Sequence, residues 1–262
     1  MRFAIGFLGI LALYAIVVEP YWIRLRRFDV QIPGLPTQFD GFIILHLSDL
    51  HGRVGAFLRP SVRQAMEQAD VMALTGDLYS VTLPDVHIAS YLDALDRRRL
   101  FYVSGNHDYR YGELKTSPWE PGSCLLDNRA VRLARGTAGI WLAGIPDLVK
   151  GKPNLAVVLE QINTEETAIL LSHRPDAWLK HEAQRFQLIL SGHTHGGQVR
   201  FPWIGALVRH NKLPGNYVSG ILSKEGHPTL VTSKGLGTSE LPVRFLSRPE
   251  VIQICLRTAP LI

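Results

Sequence analysis

Residues 42–51, Phe-Ile-Ile-Leu-His-Leu-Ser-Asp-Leu-His, begin a pattern that recurs along the chain, in which an apolar run ends in polar residues. Such a run is typical of a buried strand. The pattern predicts two further strands at 70–75 and 100–104, with helices at 60–68 and 86–98 between the three strands. This alternation of strand and helix favours an α/β sheet.

The second half of the chain continues the pattern. Further strands are predicted at 140–143, 168–172, 188–191, 198–201, 229–232 and 251–256, and helices at 154–161 and 175–181. Residues 31–37, rich in proline and glycine, are typical of a short exposed linker. We therefore expect one catalytic domain over residues 28–262.

Composition limits the protein class. The 262 residues are 46% hydrophobic and 19% charged, which indicates an ordinary folded protein with a sizeable core. The net charge of +5 favours anionic partners such as phosphates or an acidic bilayer surface, although a solvated basic surface is an equal alternative. Two distant cysteines, Cys124 and Cys255, indicate no disulfide framework. No nucleic-acid partner is expected.

The N-terminus differs from the rest of the chain. Residues 3–18 carry no charge, and Tyr21, Trp22 and three arginines at 24, 26 and 27 follow them. A cleavable signal peptide would have its positive charges before the apolar run, whereas aromatic and basic residues after it resemble an interfacial anchor. We expect residues 1–27 to form a membrane anchor, with contact through 3–27, and the basic flank places the domain on the cytoplasmic side.

Metal-ligating side chains follow the predicted strands where each strand ends. They are Asp49, His51, Asp77, Asn106, His173, His193 and His195. In an α/β sheet, ligands bind outside the carboxyl ends of strands. A single Asp or His after a strand is usually a helix cap or a turn residue. Five strands that are all followed by such residues are hard to explain in this way.

The chemistry of this set suits a pair of divalent ions. Carboxylate, carboxamide and imidazole groups bind Mn, Fe or Zn, and two ions can neutralise the oxygens of a displacement at phosphorus. His193 and His195, one residue apart on a glycine-bounded turn, can point at neighbouring ions, whereas a lone His-x-His would be a solvated turn as often as a ligand pair.

Taken in order, Asp49-Leu-His51, Gly76-Asp77, Gly105-Asn-His-Asp108, His173 and Gly192-His-Thr-His195 resemble the motifs of the calcineurin-like metallophosphoesterase family. The resemblance implies a four-layer α/β/β/α sandwich with two mixed sheets. It also implies that Asp49, His51 and His195 hold one ion, that Asn106, His173 and His193 hold the other, and that Asp77 bridges them. His107 would bind the phosphoryl group or protonate the leaving oxygen, and metal-bound hydroxide would be the nucleophile.

The residues after Asp77 argue against the protein-phosphatase branch of the family. That branch carries Gly-Asp-x-x-Asp-Arg, whereas this chain has Gly-Asp-Leu-Tyr-Ser-Val at 76–81. The strings at 235–239, 241–245 and 248–250 resemble a bacterial membrane-anchored subgroup that includes proteins similar to UDP-2,3-diacylglucosamine pyrophosphatase. The resemblance implies hydrolysis of a phosphodiester or pyrophosphate in a lipid-linked, amphiphilic substrate, and the basic flank of the N-terminal run favours the cytoplasmic face of the inner membrane.

Alternatives remain at this point. The enzyme could instead be tethered and act on small soluble nucleotides or phosphate esters, or the chain could be a non-catalytic metal-binding scaffold. Arg53, Arg110 and Arg174 follow the motifs closely and are candidate phosphate clamps, although a surface salt bridge is the commoner role for each arginine taken alone. Residues 201–208 could dock on lipid or form a buried strand and turn. His46 and His210 match no motif, and we assign them no role.

Overall fold

Buried apolar strands form the centre of the molecule in two sheets. The structure, a computed structural model, describes residues 2–53, 59–79, 99–110, 113–114 and 124–259. The first sheet has the order β1-β16-β2-β3-β4-β7, and these strands are β1 (Arg24–Pro33), β2 (Ile43–Leu47), β3 (Val71–Thr75), β4 (Leu100–Val103), β7 (Cys124–Leu125) and β16 (Glu250–Ala259). Strand β16 is parallel to β1 and antiparallel to β2, whereas β2, β3, β4 and β7 are parallel, so this sheet is mixed.

The second sheet has the order β14-β15-β11-β10-β9-β8. These strands are β8 (Arg129–Arg135), β9 (Ala138–Ile145), β10 (Ala168–Ser172), β11 (Leu188–Ser191), β14 (Gly220–Leu222) and β15 (Thr229–Thr232). Four central strands are parallel, and an antiparallel strand lies at each edge. Two short hairpins complete the described strands: β5 (Tyr109–Arg110) with β6 (Glu113–Leu114), and β12 (Arg200–Phe201) with β13 (Gly205–Ala206).

Three apolar clusters fix how these layers pack. One joins the first sheet to helix α2 (Pro60–Gln68) through Val62, Ala65 and Leu74. A second fills the space between the sheets, where Ile44 of β2 and Ile169 of β10 have no exposed surface. The third joins the second sheet to helix α3 (Leu155–Gln161) and to two 3-10 helices, Pro175–Leu179 and Glu182–Arg185. The predicted α/β fold with two mixed sheets is confirmed.

The predicted and observed elements differ at a few places. The predicted linker at 31–37 is wrong, because β1 continues to Pro33 and both Ile32 and Leu35 are buried. The predicted helix at 175–181 is a 3-10 helix, and the predicted strand at 198–201 shortens to Arg200–Phe201. The predicted helix at 86–98 lies outside the described residues.

The N-terminal residues form three consecutive helical segments. These are helix α1 (Arg2–Leu13), a π-helical segment (Tyr14–Val18) and a 3-10 turn (Glu19–Tyr21). None of the helices in the described ranges is both long and apolar enough to cross a bilayer. Strand β1 begins at Arg24, so the sheet includes part of the predicted anchor range. The boundary between residues 27 and 28 stays a prediction.

Candidate metal centre

The predicted ligands come together where the strands of both sheets end. Two groups form: Asp49, His51 and His195 in one, and Asp77, His173 and His193 in the other. In the first group, His195 Nε2 lies 3.2 Å from His51 Nε2 and 3.4 Å from Asp49 Oδ1. Ligands about 2.1 Å from one ion are separated by about 3.0–3.4 Å, so these distances fit a shared cation.

The second group has the same spacing. His173 Nε2 lies 3.1 Å from His193 Nδ1 and 3.1 Å from Asn106 Oδ1. Asp77 Oδ2 lies 3.3 Å from this nitrogen and 3.6 Å from His51 Nε2 of the other group. The carboxylate of Asp77 is therefore placed between the two groups, where a bridging ligand would lie.

Backbone carbonyl groups orient two of the imidazoles. His51 Nδ1 lies 3.2 Å from the carbonyl oxygen of Tyr79, and His173 Nδ1 lies 2.7 Å from that of Thr75. Each Nδ1–H donates to its carbonyl, which directs Nε2 into the cluster. Both rings are thus prepared to bind a cation through Nε2.

Strained backbone positions accompany this arrangement. Five of the predicted ligands have φ in the left-handed region, namely Asp49 (50°), His51 (45°), Asp77 (54°), His193 (68°) and His195 (50°). Side chains other than glycine rarely adopt this conformation, and strain of this kind clusters at functional sites. Gly105 allows the loops to approach closely, since a Cβ there would lie 2.3 Å from Asp77 Oδ1.

Asp108 binds the two central loops together. Its carboxylate accepts hydrogen bonds from the backbone N–H groups of Asp77 (2.9 Å), Leu78 (2.8 Å), Tyr79 (3.2 Å) and Gly105 (2.8 Å). The N–H of His107 in turn donates to Asp77 Oδ1 at 2.8 Å, which leaves Oδ2 facing the imidazoles. Asp108 therefore orients the turn rather than contacting an ion.

A buried chain of hydrogen bonds reaches Asp49 from the core. Ser48 Oγ donates to Asp49 Oδ2 at 2.5 Å, and Thr75 Oγ1 donates to Ser48 Oγ at 2.9 Å. His46 Nε2 lies 2.9 Å from Thr75 Oγ1, whose proton is already donated, so this Nε2 carries the hydrogen. Burial lowers the pKa of His46 to about 3, so the ring is neutral.

The electrostatics of the site favour positive charge at its centre. Burial lowers the pKa of His51 to about 4 and that of His193 to about 2, which keeps both rings neutral as metal ligands require. Burial also acts to lower the pKa of His173, but attraction to Asp77 outweighs it and raises that pKa to about 10, so its Nε2 carries a proton that a bound cation would displace. Burial acts to raise the pKa of Asp77, but His173 and His51 hold it below the usual range.

The donor set fits two divalent ions, because carboxylates, imidazoles and a carboxamide converge on two points. At His51 and His173 the Nδ1 protons are directed away from these points, towards backbone carbonyls. The structure brings all seven predicted ligands together, and the role of each stays a prediction.

His107 lies beside the cluster and is accessible. Its Nε2 is 4.0 Å from Asp77 Oδ2, and its side chain is 22% exposed. A cavity of about 250 Å³ lies over the metal groups, and its lining includes Asn106, His107, His193 and His210. His107 is therefore positioned to contact a phosphoryl group in that cavity.

Arg174 lies at the metal cluster. Its Nε donates to Asp147 Oδ2 at 2.6 Å, and its Nη1 lies 2.7 Å from His193 Nε2. An ion on His193 Nδ1 would leave the proton of that ring on Nε2, and two N–H groups cannot donate to each other. The Arg174 guanidinium would then have to turn away from Nε2. It already lines a neighbouring cavity of about 670 Å³.

The other two predicted arginines are placed differently. The guanidinium of Arg53 lies 4.9 Å from the ring centre of Tyr21, towards the N-terminal segment. The side chain of Arg110 lies outside the described part of the structure. Their predicted contact with phosphate stays a prediction.

Two residues near the site were not among the predicted site residues. His210 lines both cavities, and its ring centre lies 6.0 Å from that of His193. Arg244 is fully buried and donates to the carbonyl oxygens of Lys234, Ser247 and His195 at 2.7, 2.8 and 3.5 Å. Arg244 lies in the string at 241–245, but no metal-ligand motif contains either residue, and each reaches the site through a contact with a residue distant along the chain.

Comparison with known proteins decides the family. Residues 42–197 match the sequence pattern of the calcineurin-like phosphoesterases. The chain belongs to the calcineurin-like phosphoesterase family. It is a metal-dependent phosphoesterase of that family, and the matched range contains both metal groups.

Similar proteins of this family occur in distant organisms. The chain is 30% identical to the Bacillus subtilis metallophosphoesterase YkuE, over 94% of this chain and 89% of that protein. It is 28% identical to a zebrafish transmembrane protein with a metallophosphoesterase domain, over 96% of this chain and 61% of that protein. The solved NAD nucleotidase of Haemophilus influenzae is similar at 13% identity and a TM-score of 0.48, over 74% of this chain and 45% of that one.

Proposed function

We propose that this phosphoesterase hydrolyses a phosphodiester or pyrophosphate bond in an amphiphilic, lipid-linked substrate, and UDP-2,3-diacylglucosamine is an example of such a substrate. The observation that supports a dinuclear reaction is the position of Asp77 Oδ2, 3.3 Å from His173 Nε2 and 3.6 Å from His51 Nε2. We propose Mn as the native metal, with Fe and Zn as alternatives, because the donor set suits all three.

Two divalent ions, when bound by these residues, supply polarisation of the phosphoryl oxygens and activation of water. The residues of the chain do the rest. Asp77, fixed by the N–H of His107, keeps one oxygen directed at both groups. His107, partly exposed in the small cavity, donates a proton to the leaving oxygen. Arg174, once turned from His193, binds a second phosphate in the larger cavity.

The lining of the larger cavity supports a substrate that is both charged and apolar. Arg174, Lys180 and Lys212 provide positive charge, while Val149 and Leu179 are 67% and 48% exposed. The cavity shares His193 and His210 with the smaller one, so one molecule could occupy both. Its volume of about 670 Å³ is larger than a phosphate group needs.

A pair of matched substrates tests the proposal. We expect UDP-2,3-diacylglucosamine to be hydrolysed with a kcat/KM at least about tenfold higher than UDP-glucosamine without acyl chains. Leu179→Asp should lower the first value and leave the second unchanged, and Val157→Asp, on the outer helix α3, is the control. Equal turnover of both substrates would instead support the alternative, a tethered phosphodiesterase for small soluble esters.

We also propose that residues 3–27 attach the enzyme to the cytoplasmic face of the inner membrane. Support comes from the exposed apolar side chains of this segment, such as Ile5, Phe7 and Ile10, each more than 60% exposed. Localisation of the full chain in intact cells by protease accessibility tests the proposed side of the membrane. Protection of the domain inside intact cells is the expected result.

A further inference from the structure

Three segments far apart in sequence together expose a large apolar surface. We call it the apolar face, and it consists of residues 5–22, 201–208 and 241–246. Phe7, Leu207 and Leu241 represent the three segments and are 61%, 59% and 67% exposed. An extended patch of this kind in a soluble domain marks an interaction site.

Phe245 joins the segments into one surface. Its ring centre lies 6.4 Å from that of Tyr14 and 5.8 Å from that of Phe201. Backbone hydrogen bonds fix the same contacts, since the N–H of Arg244 donates to the carbonyl of Ala15 at 2.9 Å and the N–H of Arg200 donates to that of Phe245 at 2.8 Å. The π-helical segment Tyr14–Val18 and the hairpin β12–β13 therefore both contact residues 244–245.

The tip of the hairpin carries a tryptophan that is unusual in both its solvent exposure and its backbone conformation. Trp203 is fully exposed and has φ 64°. A bulky residue rarely adopts left-handed backbone, and neither packing nor a turn type requires tryptophan at this position. Ile204 beside it is 66% exposed. A tip of this composition is suited to insertion into an apolar phase.

The charges around the apolar face fit an anionic partner. Its three segments contain one acidic residue, Glu19. The carboxylate of Glu19 is fully buried and accepts the N–H groups of Leu246 and Ser247 at 2.9 and 2.5 Å. Arginines surround the aromatic end of the face, with Arg248 3.8 Å from the ring centre of Trp22 and Arg59 donating to the carbonyl of Tyr21 at 2.6 Å.

The apolar face is also tied to the metal centre. Ser247, whose N–H is bound by Glu19, donates from Oγ to the carbonyl of His195 at 2.9 Å. The hairpin begins at Arg200, and two residues separate it from the end of the 3-10 turn His195–Gly197. A membrane or protein that binds to the apolar face would therefore contact residues that are hydrogen-bonded to the predicted ligand His195, or that follow it closely in sequence.

We infer that the apolar face docks on a bilayer of anionic phospholipids, with the hairpin tip around Trp203 inserted beside the N-terminal helix. Aromatic residues flanked by arginines are typical of the membrane–water interface. The hairpin is a second contact beyond the N-terminal segment, and it brings the metal centre next to the lipid headgroups. This inference rests on the membrane association proposed above, and its test measures binding without any substrate.

The test is co-sedimentation of the full chain with vesicles of phosphatidylglycerol and phosphatidylcholine, compared with phosphatidylcholine alone. We expect Trp203→Glu to lower the vesicle partition coefficient at least about tenfold. Arg59→Gln and Arg248→Gln should each lower it about fivefold on anionic vesicles only. Val157→Glu makes the same charge change at an exposed apolar residue outside the face, and it should leave binding unchanged.

Melting temperature and metal content show that each variant is folded. Equal vesicle binding by Trp203→Glu and the parent, in folded protein, would overturn the inference. So would concentration-dependent dimerisation without vesicles that Trp203→Glu abolishes, since the face would then bind a second copy. Vesicle binding that depends on Trp203 in a protein without diphosphate hydrolysis would support the docking surface and refute only the proposed substrate.

Discussion

Replacing Gly105 by alanine tests whether the position of the Asp77 carboxylate sets the rate of hydrolysis. A Cβ on Gly105 would lie 2.3 Å from Asp77 Oδ1 and 2.5 Å from Asp77 N, whereas ordinary contacts begin at 3.4 Å. The contact is with a carboxylate that the N–H of His107 already fixes. The Asp77 side chain and its backbone N–H must therefore both move by about 1 Å.

The size of the effect follows from this displacement. A misplacement of about 1 Å near the reacting groups lowers a rate about 100-fold, which corresponds to about 2.7 kcal/mol of transition-state stabilisation. The added methyl group also overpacks the loop and lowers the free energy of unfolding by about 1–3 kcal/mol. We expect Gly105→Ala to fold and to lose most of its activity.

The assay is hydrolysis of bis(p-nitrophenyl) phosphate with Mn²⁺, reported as kcat/KM, together with the metal content of each protein. Gly9→Ala is the matched control, because a Cβ there meets nothing within 4 Å. A Gly105→Ala protein that keeps two ions and a kcat/KM within about threefold of the parent would refute the reasoning.

Three further predictions follow from the hydrogen bonds and pKa values of the site. Ser48→Ala removes the donor 2.5 Å from Asp49 Oδ2, and we expect metal affinity, measured by titration, to fall about 10- to 100-fold. The pKa of His46 lies at about 3 in the folded state and near 6.5 when unfolded, so the unfolded chain binds more protons between these values. Unfolding experiments should show stability falling as pH decreases through that window, with a shallower slope in His46→Gln. Chelation by EDTA should lower both activity and melting temperature, and Mn²⁺ should restore them.

Each of these predictions has its own control. Ser191→Ala is the control for Ser48→Ala, because the Ser191 Oγ is buried and has no hydrogen-bond partner among the described residues. An equal loss of metal affinity in both serine variants would contradict a role for the Ser48 hydrogen bond. Identical pH slopes in the parent and His46→Gln would show that another group causes the acid sensitivity. Full activity after exhaustive chelation would contradict the dependence on metal.

The sequence predicted the buried strands and helix α2 well, because their patterns are local. Ile43–Leu47 and Val71–Thr75 are apolar runs bounded by polar residues, and the observed strands agree with the prediction to within a residue. Strand β1 was missed, since Arg24–Pro33 is charged and mostly exposed and becomes a strand only by pairing with β16. The local signal of this strand is the alternation of Phe28, Val30 and Ile32 with polar residues, and the prediction of an anchor and a linker overlooked it.

The candidate site likewise contains residues that sequence motifs predicted and residues that only the structure revealed. Asp49 and His195 stand in short motifs that residue type and order make recognisable. Arg244 and Glu19 act through contacts with residues that are distant along the chain, namely the carbonyl of His195 for Arg244 and the N–H of Ser247 for Glu19. Only the fold brings such pairs together, so the supporting contacts could not be predicted from spacing.

The number of metal ions held by Asp77 tests the central claim most directly. Elemental analysis of the full chain after reconstitution with Mn²⁺ should find two ions per chain. Asp77→Asn should lose at least one ion and lower kcat/KM on bis(p-nitrophenyl) phosphate at least about 1000-fold, because the bridge between His51 and His173 is weakened. One ion per chain in the active parent enzyme, or an active Asp77→Asn, would contradict a dinuclear centre bridged by this carboxylate.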